Sequence, residues 1–333
     1  MGRKPVAPVQ TMPTSWVTEK TLRCNAQYGF IYLNNPKVGC STVKSSLWTA
    51  IDGKGPGKAG VHALAESPFD NKPRDAEAAR RAFVFTFVRN PFQRLVSAYL
   101  NKVLAPRDAS WASFRRRYEV TLPEPVSFDS FVELLAGVPS SAHNPHWRPQ
   151  HLNILHPFVK PNLLADLHQM DDLLPGVLTR LFGQAKMVQA QKHATTARVV
   201  WRDFFRDSGT LRRVLDMYGV DFDAFGYVPL LDADPACTKP PVQSDHAHDG
   251  LALLVQFWAS PATRKPAVLK QIAAADTKGE LADWILARRL LGPDLTPVQR
   301  AAILARNRQR IADGPAYLRL IADGKPDDPD LAD

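Results

Sequence analysis

Three features predict an α/β chain built around a parallel sheet. The run Phe83-Val84-Phe85-Thr86-Phe87-Val88 is apolar without alternation, which suits a strand covered on both faces. A shorter run, Phe30-Ile31-Tyr32-Leu33, leads into small residues and then a helical stretch. Phe92, Leu95, Val96, Tyr99, Leu100 and Val103 recur at helical spacing directly after the longer run. Strand-loop-helix units in succession give parallel strands joined by helical crossovers. Ligands of such sheets bind at the carboxyl ends of the strands.

Residues 1–27 read as a polar, proline-containing lead-in, and the fold begins with a strand at 28–33. The loop Pro36-Lys37-Val38-Gly39-Cys40-Ser41-Thr42 then delivers backbone N–H groups to the start of a helix over about 42–51, a geometry that cradles phosphate-like groups. Asp52 to Lys58 is rich in glycine and lysine and reads as a lid or a linker. A helix near 75–81 leads to the strand at 83–88, which places Arg89 at its carboxyl end. Asn90 suits an N-cap and Pro91 a first helical residue. Ser97 lies two turns further on, outside the apolar stripe, so Arg89 and Ser97 form a second phosphate grip. Ser127 caps a helix over 127–136, residues 171–182 and 203–218 read as helices, and Lys186-Met187-Val188 as a short strand. A proline-containing link, Pro229 to Pro241, precedes a helical tail marked by Leu281, Trp284, Ile285, Ala287 and Leu290, and Thr296-Pro297 is a helix start. The division is therefore 1–27, a main domain at 28–228, and a linker with a helical extension at 229–333.

With 333 residues, 45% hydrophobic and 23% charged, the chain has the composition of a globular protein rather than a disordered one. Its 42 basic against 33 acidic residues give a net charge of +9, which favours anionic partners. No zinc-finger or ribonucleoprotein motif accompanies that charge, which argues against nucleic acid. Arg115-Arg116-Arg117 reads as a solvated helix face, with an acceptor-binding patch as the sharper alternative. Cys24, Cys40 and Cys237 are too few and too widely spaced for a disulfide framework or a zinc site. Sparse cysteine, and an N-terminus without a long apolar segment, lead to the expectation of a cytoplasmic protein without a membrane anchor.

The loop at 36–42 and the stretch Phe87-Val88-Arg89-Asn90-Pro91-Phe92-Gln93-Arg94-Leu95-Val96-Ser97-Ala98-Tyr99, in that order, resemble the 5′-phosphosulfate loop and the 3′-phosphate motif of sulfotransferases. These enzymes use 3′-phosphoadenosine 5′-phosphosulfate (PAPS). His146-Trp147-Arg148-Pro149-Gln150, Lys192 to Arg198, and Tyr218 to Tyr227 extend the likeness to the carbohydrate branch, which includes the chondroitin and uronyl 2-O enzymes. The resemblance covers about residues 28–228 and implies the sulfotransferase fold, a P-loop-like parallel sheet flanked by helices. It implies PAPS as co-substrate, a carbohydrate hydroxyl as acceptor and no metal. A Walker-type kinase is the competing reading of the same loop, but that pattern places lysine after the last glycine, whereas Lys37 precedes Gly39. A noncatalytic anion- or glycan-binding protein is the other alternative.

By motif match, Lys37 stabilises the departing phosphate, and Val38, Gly39, Cys40, Ser41 and Thr42 hold the 5′-phosphosulfate. Arg89 and Ser97 hold the 3′-phosphate, and Thr195, Thr196 and Arg198 match a loop that closes over the nucleotide. Histidine suits the general base because it titrates near neutrality. His62, between the two motifs, matches by order the catalytic histidine of the uronyl 2-O enzymes. His146 is the second choice, and Glu66 an acidic alternative. Trp147 is readable either as a stacking platform for a sugar or adenine or as packing. His143, His146, His151 and His156 read as an acceptor-lining connection rather than a metal centre, since the stretch has no cysteine and little acid.

Overall fold

The computed structural model describes residues 22–57, 60–61, 67–104, 109–117, 122, 125–138, 140, 143–183, 187–188, 200–261, 263–275 and 296–313. Among them a five-stranded sheet runs in the order β1 (Leu22–Asn25), β2 (Phe30–Leu33), β3 (Phe83–Val88), β4 (Leu163–Asp166) and β5 (Val242–Gln243). The three central strands are parallel, and β1 and β5 add antiparallel edges. The α/β expectation therefore holds. β5 has only two residues, β1 falls inside the stretch read as a lead-in, and β4, Leu163-Leu164-Ala165-Asp166, lacks the aromatic and β-branched residues that mark the equally short β2.

The helices are α1 (Cys40–Asp52), α2 (Ala76–Arg81), α3 (Pro91–Ala98), α4 (Ala109–Arg117), α5 (Phe128–Ala136), α6 (Gln150–Asn153), α7 (Met170–Phe182) and α8 (Ser208–Phe225). After β5 come α9 (Asp249–Ala259), α10 (Lys265–Ala275), α11 (Pro297–Arg306) and α12 (Arg308–Asp313). Their boundaries follow local chemistry. Asn90 accepts from the N–H groups of Phe92 and Gln93, and Pro91 opens α3 as expected. Ser127 caps α5 by accepting from Ser130 N. Asp207 caps α8 by accepting from Thr210 N, so the helix read at 203–218 begins at Ser208 and runs to Phe225. Trp201–Phe204 forms a separate 3-10 turn before it. Met187 and Val188 are not in a strand: the Ser46 hydroxyl accepts from Val188 N at 2.9 Å and donates to Val188 O at 3.3 Å. Leu281 to Leu290 lie outside the described residues.

The two faces of the sheet fill two cores by strand alternation. Phe30, Tyr32, Phe85, Phe87, Leu163 and Ala165 pack against α1 and α7, with Val38 of the loop buried among them. Leu22, Cys24, Ile31, Leu33, Val84 and Val88 join the side chains of α3, α5, α8 and α9 on the other face. Covering both faces is what makes the β3 sequence continuously apolar. The extension after residue 229 is docked on this body: α9 packs on α2, and His248 N donates to Arg80 O at 3.0 Å.

Candidate active site

The carboxyl ends of β2 and β3 build the site. Beyond β2 the chain turns through Lys37 at φ +73° and Gly39 at φ +75°, then enters α1. A left-handed lysine costs about 1–2 kcal/mol, a strain that concentrates at functional sites. A Cβ at 39 would in addition lie 2.8 Å from Met170 Cε and 3.0 Å from Leu167 Cδ1, so these flexible side-chain ends would have to shift. No side chain caps α1, and its first turn contains no acid. The leading N–H groups of a 13-residue helix thus face the site with the positive end of its dipole. Lys37, Gly39, Cys40, Ser41 and Thr42 are all partly exposed at this mouth, whereas Val38 is buried and anchors the loop.

Four cations converge here. Lys37 Nζ donates to Asn101 Oδ1 at 3.0 Å. Asn101 and Lys102 sit in a π-helical turn, Tyr99–Val103, that continues α3. Arg89 Nη1 donates to the Lys37 carbonyl at 3.3 Å, so the two motifs, separate in sequence, touch. Among the described residues no carboxylate lies within ion-pair distance of Lys37. Burial, with Lys102, Arg89 and Arg94 nearby, pushes the Lys37 ammonium down to about 8, against a smaller opposing effect of Cys40. A cation strained by other cations is stabilised by an arriving anion. Arg89 also donates through Nε to Gln93 Oε1 at 3.4 Å, and Ser97 is buried further along α3.

The histidine-rich connection forms the facing wall. Gln150 pairs with the Arg89 backbone in both directions: Arg89 N donates to Oε1 at 2.9 Å, and Nε2 donates to Arg89 O at 2.7 Å. Asn35 Nδ2 donates to the same Gln150 oxygen at 3.0 Å and to Phe87 O at 3.1 Å. The buried Asp221 carboxylate on α8 accepts from Gln150 N at 2.6 Å, His151 N at 2.9 Å and His151 Nδ1 at 2.7 Å. Tyr218, one turn earlier, donates its hydroxyl to Trp147 O. His146 is partly exposed, and its Nδ1 lies 2.7 Å from Asn144 Oδ1, which also accepts His146 N at 3.1 Å. An amide oxygen only accepts, so Nδ1 carries the proton and Nε2 the lone pair, the tautomer a general base needs.

Several expectations are corrected or completed. Trp147 is wholly buried against Trp111, Phe114 and Phe131, which rules out a stacking platform for a ligand. His143 is buried with Nε2 at 3.0 Å from Leu135 O and 2.9 Å from Val138 O, and burial pushes it down to about 4. It is a structural residue. His62, Glu66, Thr195, Thr196 and Arg198 lie outside the described residues. Sequence reasoning missed Asn35, Asn101 and Lys102. The first is a neutral residue without a motif signal, and the other two read as part of an ordinary helix until the π turn brings them to Lys37. It also missed Asp166 and His168 at the end of β4. Burial would raise the Asp166 carboxyl, but hydrogen bonds from His168 Nδ1 at 2.7 Å and Tyr227 at 2.5 Å outweigh it and hold the group below its ordinary value. Among the described residues no three metal-type side chains converge, and no helix is long and apolar enough to cross a membrane. Cys24, Cys40 and Cys237 are free thiols.

The profile of the sulfotransferase family matches residues 20–228. A curated relative, carbohydrate sulfotransferase 14 of Danio rerio, is 26% identical over 229 residues, which is 61% of this chain and 61% of the relative. The chain thus spans about three fifths of that relative's length. No solved structure matches. The matched segment contains the anion loop, the Arg89 helix, the histidine wall and the Asp221 helix, and this chain belongs to the sulfotransferase family.

Proposed function

We propose that the protein transfers a sulfuryl group from PAPS to a carbohydrate hydroxyl by direct in-line displacement. The observation that carries the donor reading is the convergence of Lys37, Arg89 and Lys102 on the uncapped start of α1, with no carboxylate within ion-pair distance of Lys37 among the described residues. The resemblance of both phosphate motifs to PAPS-binding ones supports the choice of nucleotide. The name of the zebrafish relative supports the acceptor class.

In the proposed reaction the bond from the acceptor oxygen to sulfur forms as the bond from sulfur to the 5′-phosphate oxygen breaks. The acceptor proton passes to a histidine, and the electron pair leaves on 3′-phosphoadenosine 5′-phosphate (PAP). Lys37 and the N–H groups of Cys40, Ser41 and Thr42 sit where that negative charge grows, which lowers the barrier more than it tightens the ground state. Arg89 and Ser97 hold the 3′-phosphate. Asn144 fixes the His146 tautomer so that Nε2 accepts a proton. His62 fills the base role by family resemblance. Cationic side chains supply the neutralisation that a metal supplies in kinases.

Calorimetric titration with PAP, with ATP and magnesium as the comparison, tests this directly. Wild type is expected to bind PAP in preference to ATP. Arg89→Ala is expected to weaken PAP by about 10- to 100-fold, the worth of one or two charge-assisted hydrogen bonds. Preference for ATP, or PAP affinity unaffected by Arg89→Ala, overturns the proposal.

A further inference from the structure

Arg94 lies in α3, five residues after Arg89, and its side chain is 1% exposed. Its guanidinium reaches carbonyls on two separate segments. Nε donates to Pro36 O at 3.0 Å, Nη2 to Pro145 O at 2.8 Å and Nη1 to Arg148 O at 2.7 Å. Pro36 immediately precedes Lys37 in the anion loop. Pro145 and Arg148 bracket His146 and Trp147 in the facing wall. Among the described residues no carboxylate lies within ion-pair distance of Arg94, so its direct partners are carbonyl dipoles, with the Asp221 carboxylate acting on the charge from further away. Burying a cation in this way is costly. A brace that only filled space would need no charge. A planar fork spanning three carbonyls instead fixes the distance between the two segments.

We infer that Arg94 is a positioning residue that couples the two sides of the site, so that an anion held at the donor loop orders the wall segment bearing His146. The inference rests on the donor reading proposed above. The physical basis is the short covalent path on each side. Displacing or ordering the Lys37 peptide acts on the Pro36 carbonyl one residue away, and the Pro145 and Arg148 carbonyls share the same rigid guanidinium. The wall has other anchors: Tyr218 to Trp147 O and Asp221 to the N–H groups of Gln150 and His151 come from α8, while Gln150 and Asn153 bond Asn35, the residue before Pro36, so Arg94 is the link that holds the Pro145 to Arg148 stretch on either side of His146.

Hydrogen exchange read by mass spectrometry tests this without knowledge of the acceptor, using PAP as the probe. In wild type, saturating PAP is expected to slow exchange at least tenfold in peptides covering 36–47 and also in those covering 143–153. In Arg94→Lys, whose single ammonium cannot span both segments, PAP affinity should stay within about threefold by calorimetry. Protection of 36–47 should remain, and protection of 143–153 should be reduced at least threefold. Arg94→Gln, which keeps a donor amide but removes one of the charges acting on Lys37, serves the same exchange comparison at PAP concentrations that saturate it, if the lysine variant does not fold. Tyr218→Phe frees Trp147 O while keeping the three carbonyl bonds of Arg94, and should leave the PAP response of 143–153 in place. PAP protection confined to 36–47 in wild type, or equal protection of 143–153 in wild type and Arg94 variants, overturns the coupling. A flat calorimetric titration in wild type would instead overturn the donor reading, and the coupling with it.

Discussion

Lys37 gives the sharpest test, because its proton should be taken up when an anion binds. The amine is pushed down to about 8 from an ordinary 10.5, first by burial and then by Lys102, Arg89 and Arg94, with Cys40 acting in the opposite sense. A dianion at the loop favours the charged form against both the burial penalty and the repulsion, and returns the ammonium towards its ordinary range. The sign follows: the protonated amine favours binding, so affinity is highest below the free-state value and falls as pH rises through it. With a free value of about 8, the unbound amine is about 90% charged at pH 7, half charged at pH 8 and about 10% charged at pH 9. If the bound value exceeds about 10, PAP binding takes up about 0.1 proton at pH 7, about 0.5 at pH 8 and about 0.8 at pH 9. Affinity should then fall by about ninefold between pH 7 and pH 9. Titration calorimetry in two buffers of different ionisation enthalpy measures the uptake at each pH. Lys37→Met should remove it, while Cys40→Ser controls for the neighbouring thiol. Equal proton uptake in wild type and Lys37→Met would refute the account.

Two further changes probe the scaffold. Gly39→Ala places a methyl 2.8 Å from the flexible Met170 terminus at φ +75°, so backbone strain of about 1–2 kcal/mol dominates. Calorimetry should show Tm lowered by about 2–8 °C, with PAP affinity reduced tenfold or more; unchanged affinity would separate the loop geometry from anion binding. Asp221→Asn leaves two peptide N–H groups and the His151 ring facing an uncharged amide, and should cost about 2–4 kcal/mol in urea unfolding. A loss below about 1 kcal/mol would show that these donors find other partners.

Local elements were readable because their causes lie within a few residues of one another. Asn90-Pro91 opens α3 and Ser127 opens α5 through side chains that bond two or three residues ahead. The continuous apolar run of β3 announced burial on both faces, and the two cores supply it. β4 is silent because Leu163-Leu164-Ala165-Asp166 has no aromatic or β-branched residue, unlike the equally short β2, although its end, Asp166, pairs with Val88 next to Arg89. The motif residues of the histidine wall were visible, but not their division of labour. Trp147 and His143 are structural, and His146 is partly exposed with its ring oriented by Asn144.

The sequence by itself determined the two strand-loop-helix units and the residues that end them: glycine where the backbone turns left-handed, a cap and a proline where a helix starts, and a cation at a strand end. Tertiary structure alone decided that Arg89 would reach the Lys37 carbonyl, that Gln150 would read the Arg89 backbone, and that Asp221 would hold Gln150 from 71 residues away. The reason is physical. Dihedral preference and capping act within a turn of chain, whereas the partners of buried N–H and C=O groups are fixed only when distant segments are packed together and each must be satisfied without water.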